Sequence, residues 1–170
     1  MKPKSPKVLR LVLSALFLAL TFLATLLSFP APLVGNLNLG DGVLLTGVSL
    51  LGIPGVIAGA LGAALCDLVG PYAIYAPATL IIKLLMGFAA YGILKLFQSR
   101  EHPRKLALLL AGFFAELIMV AGYYFYEAIF VLRSFAGALG NIPFNLMQGG
   151  VGLALFFILS GILGKWKSKP

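Results

Sequence analysis

Acidic residues and cysteine are scarce in this sequence of 170 residues. Five Asp and Glu residues stand against 13 Lys and Arg residues, and charged residues make up only 11% of the chain. The single cysteine, Cys66, excludes an intramolecular disulfide, and together with the single histidine, His102, it is too little for a zinc cluster. We therefore expect no metal and no other cofactor.

The short signatures of soluble enzymes are also missing. The sequence contains no phosphate loop of the form G-x-x-x-x-G-K-[ST], no H-E-x-x-H motif and no G-x-S-x-G elbow. A chain without a phosphate loop is not expected to hydrolyse ATP itself. An intramembrane enzyme would need a nucleophile and a base, but Cys66 lies in an apolar stretch, where a buried structural thiol is the commoner case. We expect no catalytic residues.

Apolar residues dominate the composition. Hydrophobic residues make up 61% of the chain and the mean hydropathy is +1.03, far outside the usual range of soluble domains. A helix of about 20 residues is needed to cross a hydrocarbon core roughly 30 Å thick. The chain is therefore one domain, residues 1–170, with nearly all of its length committed to the lipid bilayer.

The positive charges are clustered. Eleven of the 13 basic residues lie in three groups: Lys2, Lys4, Lys7 and Arg10; Lys95, Arg100, Arg104 and Lys105; Lys165, Lys167 and Lys169. Each group flanks an apolar run, which is the positive-inside pattern of membrane proteins and not a nucleic-acid surface. We therefore predict that both termini and the loop around Arg100 are cytoplasmic, and we expect no nucleic-acid partner.

Two cytoplasmic points must be separated by an even number of crossings, and this rule fixes the expected count. Predicted helices cover residues 8–29, 42–52, 54–69, 74–97, 106–130 and 141–163. The segment from Gly52 to Gly55 divides the second from the third, because proline lacks an amide hydrogen and clashes with the preceding turn. The expected fold class is an all-α integral membrane protein with six transmembrane helices. A re-entrant hairpin over 42–69 would satisfy the same parity.

Ionisable groups inside the spans are the first candidates for a site, since burying them in lipid is costly. Asp41, Asp67 and Glu127 lie near the predicted outer ends of their helices. Lys83 and Glu116 lie deeper, at similar depth in antiparallel spans, which predicts a mutual ion pair. Such a pair would serve equally well as a link between helices or as part of a binding site.

Helical spacing adds polar and aromatic candidates to these. Asn141, Asn145 and Gln148 share one face of the last helix, and Tyr123 lies on the stripe that joins Glu116 to Glu127. The predicted outer loops add Asn36, Asn38, Tyr72 and Tyr75. Convergent polar groups favour a small-molecule cavity. Hydrogen bonds between helices and an interfacial belt of tyrosines are the alternatives.

Three segments carry a resemblance to a known family. They are Ala15-Leu16-Phe17-Leu18-Ala19, Asn38-Leu39-Gly40-Asp41, and Gly59-Ala60-Leu61-Gly62-Ala63-Ala64-Leu65-Cys66-Asp67-Leu68. With the expected topology, they make the whole chain resemble the substrate-binding S component of an energy-coupling factor (ECF) vitamin transporter. Within that family it is most similar to the group of riboflavin, pyridoxine and hydroxymethylpyrimidine carriers.

The resemblance implies a division of labour among subunits. Two ATPase subunits and a transmembrane coupling subunit would supply energy, with Ala15 and Ala19 docking on the coupling subunit. This chain would bind a vitamin in an outward-facing pocket of a bacterial plasma membrane, roofed by the loop between the first two helices, and would topple to release it. Pyridoxine or hydroxymethylpyrimidine is the first expectation for the ligand, and riboflavin the next.

A carrier that works alone is the main functional alternative. Glu116, Glu127 or Asp67 would then be the protonatable group that couples substrate movement to an ion gradient. Uptake into vesicles that contain only this protein would distinguish such a carrier from a capture subunit.

Overall fold

Helices account for nearly all of the structure, a computed structural model that describes residues 6–30, 36–98 and 104–167. The helices are α1 (Pro6–Leu26), α2 (Gly40–Leu51), α3 (Ile53–Val69), α4 (Ala76–Gln98), α5 (Arg104–Tyr126), α6 (Phe135–Ala138) and α7 (Ile142–Lys167). Strands β1 (Ser28–Pro30) and β2 (Asn36–Asn38) form an antiparallel hairpin between α1 and α2. The predicted loop around Arg100, with Glu101 and His102, lies outside the described residues.

Four helical stretches are long and apolar enough to cross a membrane. They are Lys7–Leu26, Ala73–Phe97, Arg104–Val131 and Phe135–Leu163. Helices α2 and α3 have 12 and 17 residues, or about 18 and 25 Å at about 1.5 Å per residue, less than the roughly 30 Å of a hydrocarbon core. Short helices are tolerated at membrane depth where protein surrounds them, and most of α2 is buried.

Helices α2 and α3 form an antiparallel hairpin that turns at Gly52. This residue has a φ of 69°, in the region that glycine adopts without strain, and Pro54 lies in the first turn of α3, where no amide hydrogen is needed. Gly59 faces Leu44 across the hairpin, at a separation that leaves no room for a larger residue. The hairpin therefore brings Asp41 and Asp67 to the same end of the bundle.

Helices α1, α3, α4 and α7 pack around α2. Helix α1 packs on α2 and α3, α3 on α4, α4 on α5, and α7 on α2 and α5. The core contains Leu44, Leu45, Met86, Met119 and Phe156, all with at most 1% of their surface exposed. One face of α2 thus contributes to the apolar core while its first turn carries Asp41 towards α4 and α7.

The chain beyond α5 departs from a regular helix. Residues Glu127–Val131 form a π-helical turn, closed by a hydrogen bond from Leu132 N to Glu127 O. Helix α6 and a short 3₁₀ turn, Leu139–Asn141, then lead into α7. The wider π turn changes the direction of the residues after Tyr126, and such turns often occur at functional sites.

Candidate functional site

The buried charged side chains gather at the end of the bundle that carries the β-hairpin. Asp41, Asp67, Lys83, Glu116 and Glu127 come from four helices and from the π turn after α5, and each has at most 6% of its surface exposed. Ionisable residues at membrane depth are expensive, so a concentration of five marks this region as a candidate site. We call it the acidic end.

Asp41 is the centre of the first hydrogen-bonded group. Lys83 Nζ forms an ion pair with Asp41 Oδ1, and Gln148 Nε2 donates to Asp41 Oδ2 at 2.7 Å. The backbone N–H of Asn38 donates to Gln148 Oε1 at 3.0 Å, while Asn38 Oδ1 accepts from the N–H of Gly40 at 2.9 Å. The Asp41 carboxylate thus joins α2 to α4 and α7, and Gln148 and Gly40 attach the β-hairpin to this group.

The predicted ion pair between Lys83 and Glu116 is wrong, because Lys83 pairs with Asp41. Counting residues from the ends of antiparallel helices does put Lys83 and Glu116 at similar depth. It does not reveal that α2 is buried among the other helices and brings its own carboxylate to the amine.

A second group lies around Thr79. Its hydroxyl donates to Asp67 Oδ2 at 2.5 Å and shares a hydrogen bond of 2.9 Å with the Tyr123 hydroxyl. Lys83 Nζ lies 5.3 Å from the centre of the Tyr123 ring, within the range of a cation–π contact. Lys83 and Tyr123 therefore link this group to the one centred on Asp41.

Glu127 is the centre of a third group. Asn141 Nδ2 donates to Glu127 Oε2 at 3.0 Å, and the Tyr75 hydroxyl donates to Glu127 Oε1 at 3.4 Å. The Tyr75 ring lies 5.5 Å from that of Tyr126 and 6.3 Å from that of Tyr123, centre to centre. This end of the bundle therefore combines aromatic faces with hydrogen-bonding groups.

Glu116 differs from the other acids. Both of its carboxyl oxygens are buried and have no hydrogen-bond partner among the described residues. Two glycines of α7 make room for it: a Cβ added at Gly152 would lie 2.6 Å from Glu116 Oε1, and one added at Gly149 would lie 3.1 Å from Glu116 Cβ. A buried polar group without a partner costs about 1–3 kcal/mol, more when it is charged.

The sequence-derived candidates fall into two sets. Nine of them belong to the three hydrogen-bonded groups: Asn38, Asp41, Lys83, Gln148, Asp67, Tyr123, Tyr75, Glu127 and Asn141. Glu116 and the Asn145 Nδ2 atom are buried without a hydrogen bond within the described ranges. Asn141, just before α7, bonds to Glu127, and Gln148 of α7 bonds to Asp41. Hydrogen bonds between helices were the alternative to a cavity for these amides.

Sequence reasoning missed Thr79, although its position carried a signal. Thr79 lies four residues before Lys83 on α4, so the two share a helical face. Tyr126 is a further polar residue at this end of the bundle. Its hydroxyl donates to the carbonyl of Ile74, which ties the end of α5 to the turn before α4.

Ala15 and Ala19, the predicted docking residues, are exposed on α1. The opposite face of α1 carries Phe17 and Thr21, both buried against α2 and α3. The small-residue face is thus exposed on the described part of the bundle.

Buried acids, amides and tyrosines inside an apolar bundle are typical of a membrane protein with a functional polar interior. A solved structure of the S component of a bacterial ECF transporter has the same fold, with a TM-score of 0.70 and 20% identity over 96% of this chain and 99% of that one. The family model for the ECF-type riboflavin transporter S component matches residues 5–165.

The chain therefore belongs to the family of ECF-type riboflavin transporter S components. The family match confirms the resemblance drawn from the sequence, and it identifies the chain as a substrate-binding component of a transporter and a multi-pass membrane protein. No curated protein matches the chain significantly.

Proposed function

We propose that this chain captures riboflavin from outside the cell and presents it to the partner subunits of an ECF importer. The observation that carries the proposal is the acidic end: hydrogen-bonding groups and tyrosine rings converge inside a bundle that has the fold of an S component. Riboflavin comes first because the matched family is the one of riboflavin transporters. Pyridoxine and hydroxymethylpyrimidine, favoured by the residues alone, become the comparison ligands.

The chemistry of the acidic end suits a flat ring bearing hydroxyl groups. Tyr75, Tyr123 and Tyr126 offer aromatic rings for stacking. The centre of the Tyr75 ring lies 5.5 Å from that of Tyr126 and 6.3 Å from that of Tyr123. Thr79, Glu127 and Asn141 offer a hydroxyl, a carboxylate and an amide beside these rings. Asn145 and Glu116 supply buried polar atoms with no hydrogen-bond partner in the described structure, and such atoms are ready to bind a ligand.

The orientation we propose follows the distribution of charge. Arg10, Lys95 and Arg104 lie around a single cavity near Gly52, at the opposite end from Asp41 and Glu127. The positive-inside rule makes the end near Gly52 cytoplasmic and the acidic end external, with both termini inside. Six crossings follow if the hairpin of α2 and α3 counts as two.

The partners we propose are one transmembrane coupling subunit and two ATPase subunits. The exposed face of α1 around Ala15 and Ala19 would be the contact with the coupling subunit. Small side chains let two membrane helices approach closely, which suits them to such a contact.

Calorimetric titration of the ligand-stripped protein tests the proposed ligand. We expect one equivalent of riboflavin to bind tightly, and pyridoxine, hydroxymethylpyrimidine and pantothenate to bind weakly or not at all. Tight binding of another compound in this panel would keep the capture role and replace riboflavin. Absence of binding by every compound would contradict the proposal.

A carrier that works alone is the second candidate, and Glu116 is the observation that favours it. A buried carboxyl with no hydrogen-bond partner in the described structure is a group that could take up and release a proton. Vesicles containing only this chain separate the two functions. Riboflavin uptake driven by a pH gradient, and abolished in Glu116→Gln, would favour the carrier; no uptake without the partner subunits favours the capture subunit.

A further inference from the structure

A cavity of about 720 Å³ opens at the end of the bundle opposite the acidic end. It is lined by the end of α2, by the turn between α2 and α3 at Gly52, and by residues of α1, α4 and α5. Apolar residues such as Val48, Leu51 and Leu108 line it beside Ser49 and the ring of Tyr91. Its volume is in the range of small-molecule sites, about 300–1,000 Å³.

Three basic side chains from three different helices line this cavity. They are Arg10 of α1, Lys95 of α4 and Arg104 of α5, and all three are exposed. No acid among the described residues forms an ion pair with any of them, since the ion pair there joins Lys83 and Asp41. Like charges brought together around one cavity repel one another unless an anion lies between them. We call this site the basic cavity.

The three cations lie at the ends of membrane-spanning stretches. Lys7–Leu26 contains Arg10 in its first turn, Ala73–Phe97 contains Lys95 in its last turn, and Arg104–Val131 begins with Arg104. The cavity is therefore level with the boundary between hydrocarbon and water, where lipid phosphate groups lie. Its mixture of cations and apolar walls matches a molecule that joins a phosphate to acyl chains.

We propose that the basic cavity binds the phosphate group of an anionic phospholipid. Arg10, Lys95 and Arg104 contact the phosphate, while the aliphatic and aromatic walls contact the glycerol and the first carbons of the acyl chains. Pockets of basic residues between membrane helices are suited to anionic headgroups. The bound lipid joins α1, α4 and α5 at the end where these three cations line one cavity. This inference does not rest on the identity of the vitamin.

Native mass spectrometry of the full chain in detergent tests the lipid site. The probes are phosphatidylglycerol and phosphatidylcholine with identical acyl chains, added separately. We expect wild type to retain phosphatidylglycerol in preference, and Lys95→Gln with Arg104→Gln to lose that preference. The expected loss is about fivefold for each cation removed, the size known for one basic residue at an anionic membrane surface.

Arg133→Gln is the matched control. Arg133 is also an exposed cation, but it follows the π turn next to the acidic end and not the basic cavity. It should keep the wild-type preference for phosphatidylglycerol. Equal retention of the two lipids by wild type would overturn the proposal, and so would an equal loss in the control variant. Because all three substituted side chains are exposed, the melting temperatures should stay close to that of wild type.

Two further outcomes assign the cavity to another anion. If excess inorganic phosphate displaces phosphatidylglycerol and binds on its own, the ligand is free phosphate and the lipid proposal is wrong. If the double variant keeps its lipid preference but fails to assemble with a coupling subunit, the cavity receives an acidic segment of that protein, and the proposal is wrong as well.

Discussion

The two ends of the bundle treat charge in opposite ways. At the acidic end, Asp41, Asp67 and Glu127 are buried and each accepts a hydrogen bond from another helix or from the turn beside it. At the basic cavity, Arg10 and Lys95 are exposed beside Arg104, without acid partners in the described structure. Buried acids held by hydrogen bonds create a rigid polar interior that can recognise a ligand. Exposed cations at the end of an apolar bundle are suited instead to an anionic membrane surface.

Of the substitutions considered, breaking the ion pair at the acidic end should lower the stability of the protein the most. Lys83→Met leaves Asp41 buried with no cation, and removal of one partner of a buried pair costs about 3–5 kcal/mol. We expect thermal unfolding in detergent to occur at a much lower temperature than in wild type. Lys83→Met combined with Asp41→Asn should recover most of the loss. Lys95→Met, which removes an exposed cation, is the control and should leave stability unchanged.

Filling the space around Glu116 should lower the stability of the protein by a smaller amount. Gly152→Ala puts a methyl group 2.6 Å from Glu116 Oε1 and 3.0 Å from Asp41 Cβ, and overpacking of this kind costs about 1–3 kcal/mol. Gly150→Ala, two residues away on α7, meets nothing within 4 Å and is the matched control. Unfolding measurements that find the two variants equally stable would mean that α7 does not approach Glu116 as described.

Substitutions on the outer face of α1 should change neither the stability of the protein nor its affinity for the ligand. Ala15→Leu and Ala19→Leu add bulk to an exposed surface, so we expect wild-type unfolding and riboflavin affinity. Copurification with a coupling subunit should be reduced, because the added side chains hold the two helices apart. Ala154→Leu makes the same change on the exposed face of α7 and should assemble normally. Reduced ligand affinity in the α1 variants would count against a docking role.

Much of the fold could be predicted from the sequence, because hydropathy and charge act along the chain. The apolar runs, the break near Pro54 and the clustering of basic residues are local features, and the family match confirms the S-component resemblance that rested on them. The sequence also singled out nine of the residues that make up the hydrogen-bonded groups of the acidic end, as ionisable groups within the spans, as polar residues at helical spacing or as residues of the predicted outer loops.

The pairing of those residues could not be predicted, because it depends on how helices pack. The burial of α2 brings Asp41 to Lys83. Comparing the depths of residues in separate helices instead predicts Glu116 as the partner of Lys83. The π turn after Tyr126 has no simple sequence signal, yet it begins at Glu127, the partner of Asn141. Thr79 escaped notice because a hydroxyl in an apolar helix usually bonds to its own backbone, as Thr46 does to Gly42.

Riboflavin titration of wild type and three variants tests the division between the two ends most directly. Thr79→Val removes a hydroxyl that we propose contacts the ligand and that bonds to Asp67 and Tyr123, so we expect riboflavin to bind about tenfold more weakly. Thr46→Val, whose hydroxyl bonds only within α2, and Lys95→Gln, at the basic cavity, should bind as wild type does. Weaker binding only in Thr79→Val is the predicted result. Unchanged binding in Thr79→Val, with a loss in Lys95→Gln, would contradict the assignment of the ligand to the acidic end.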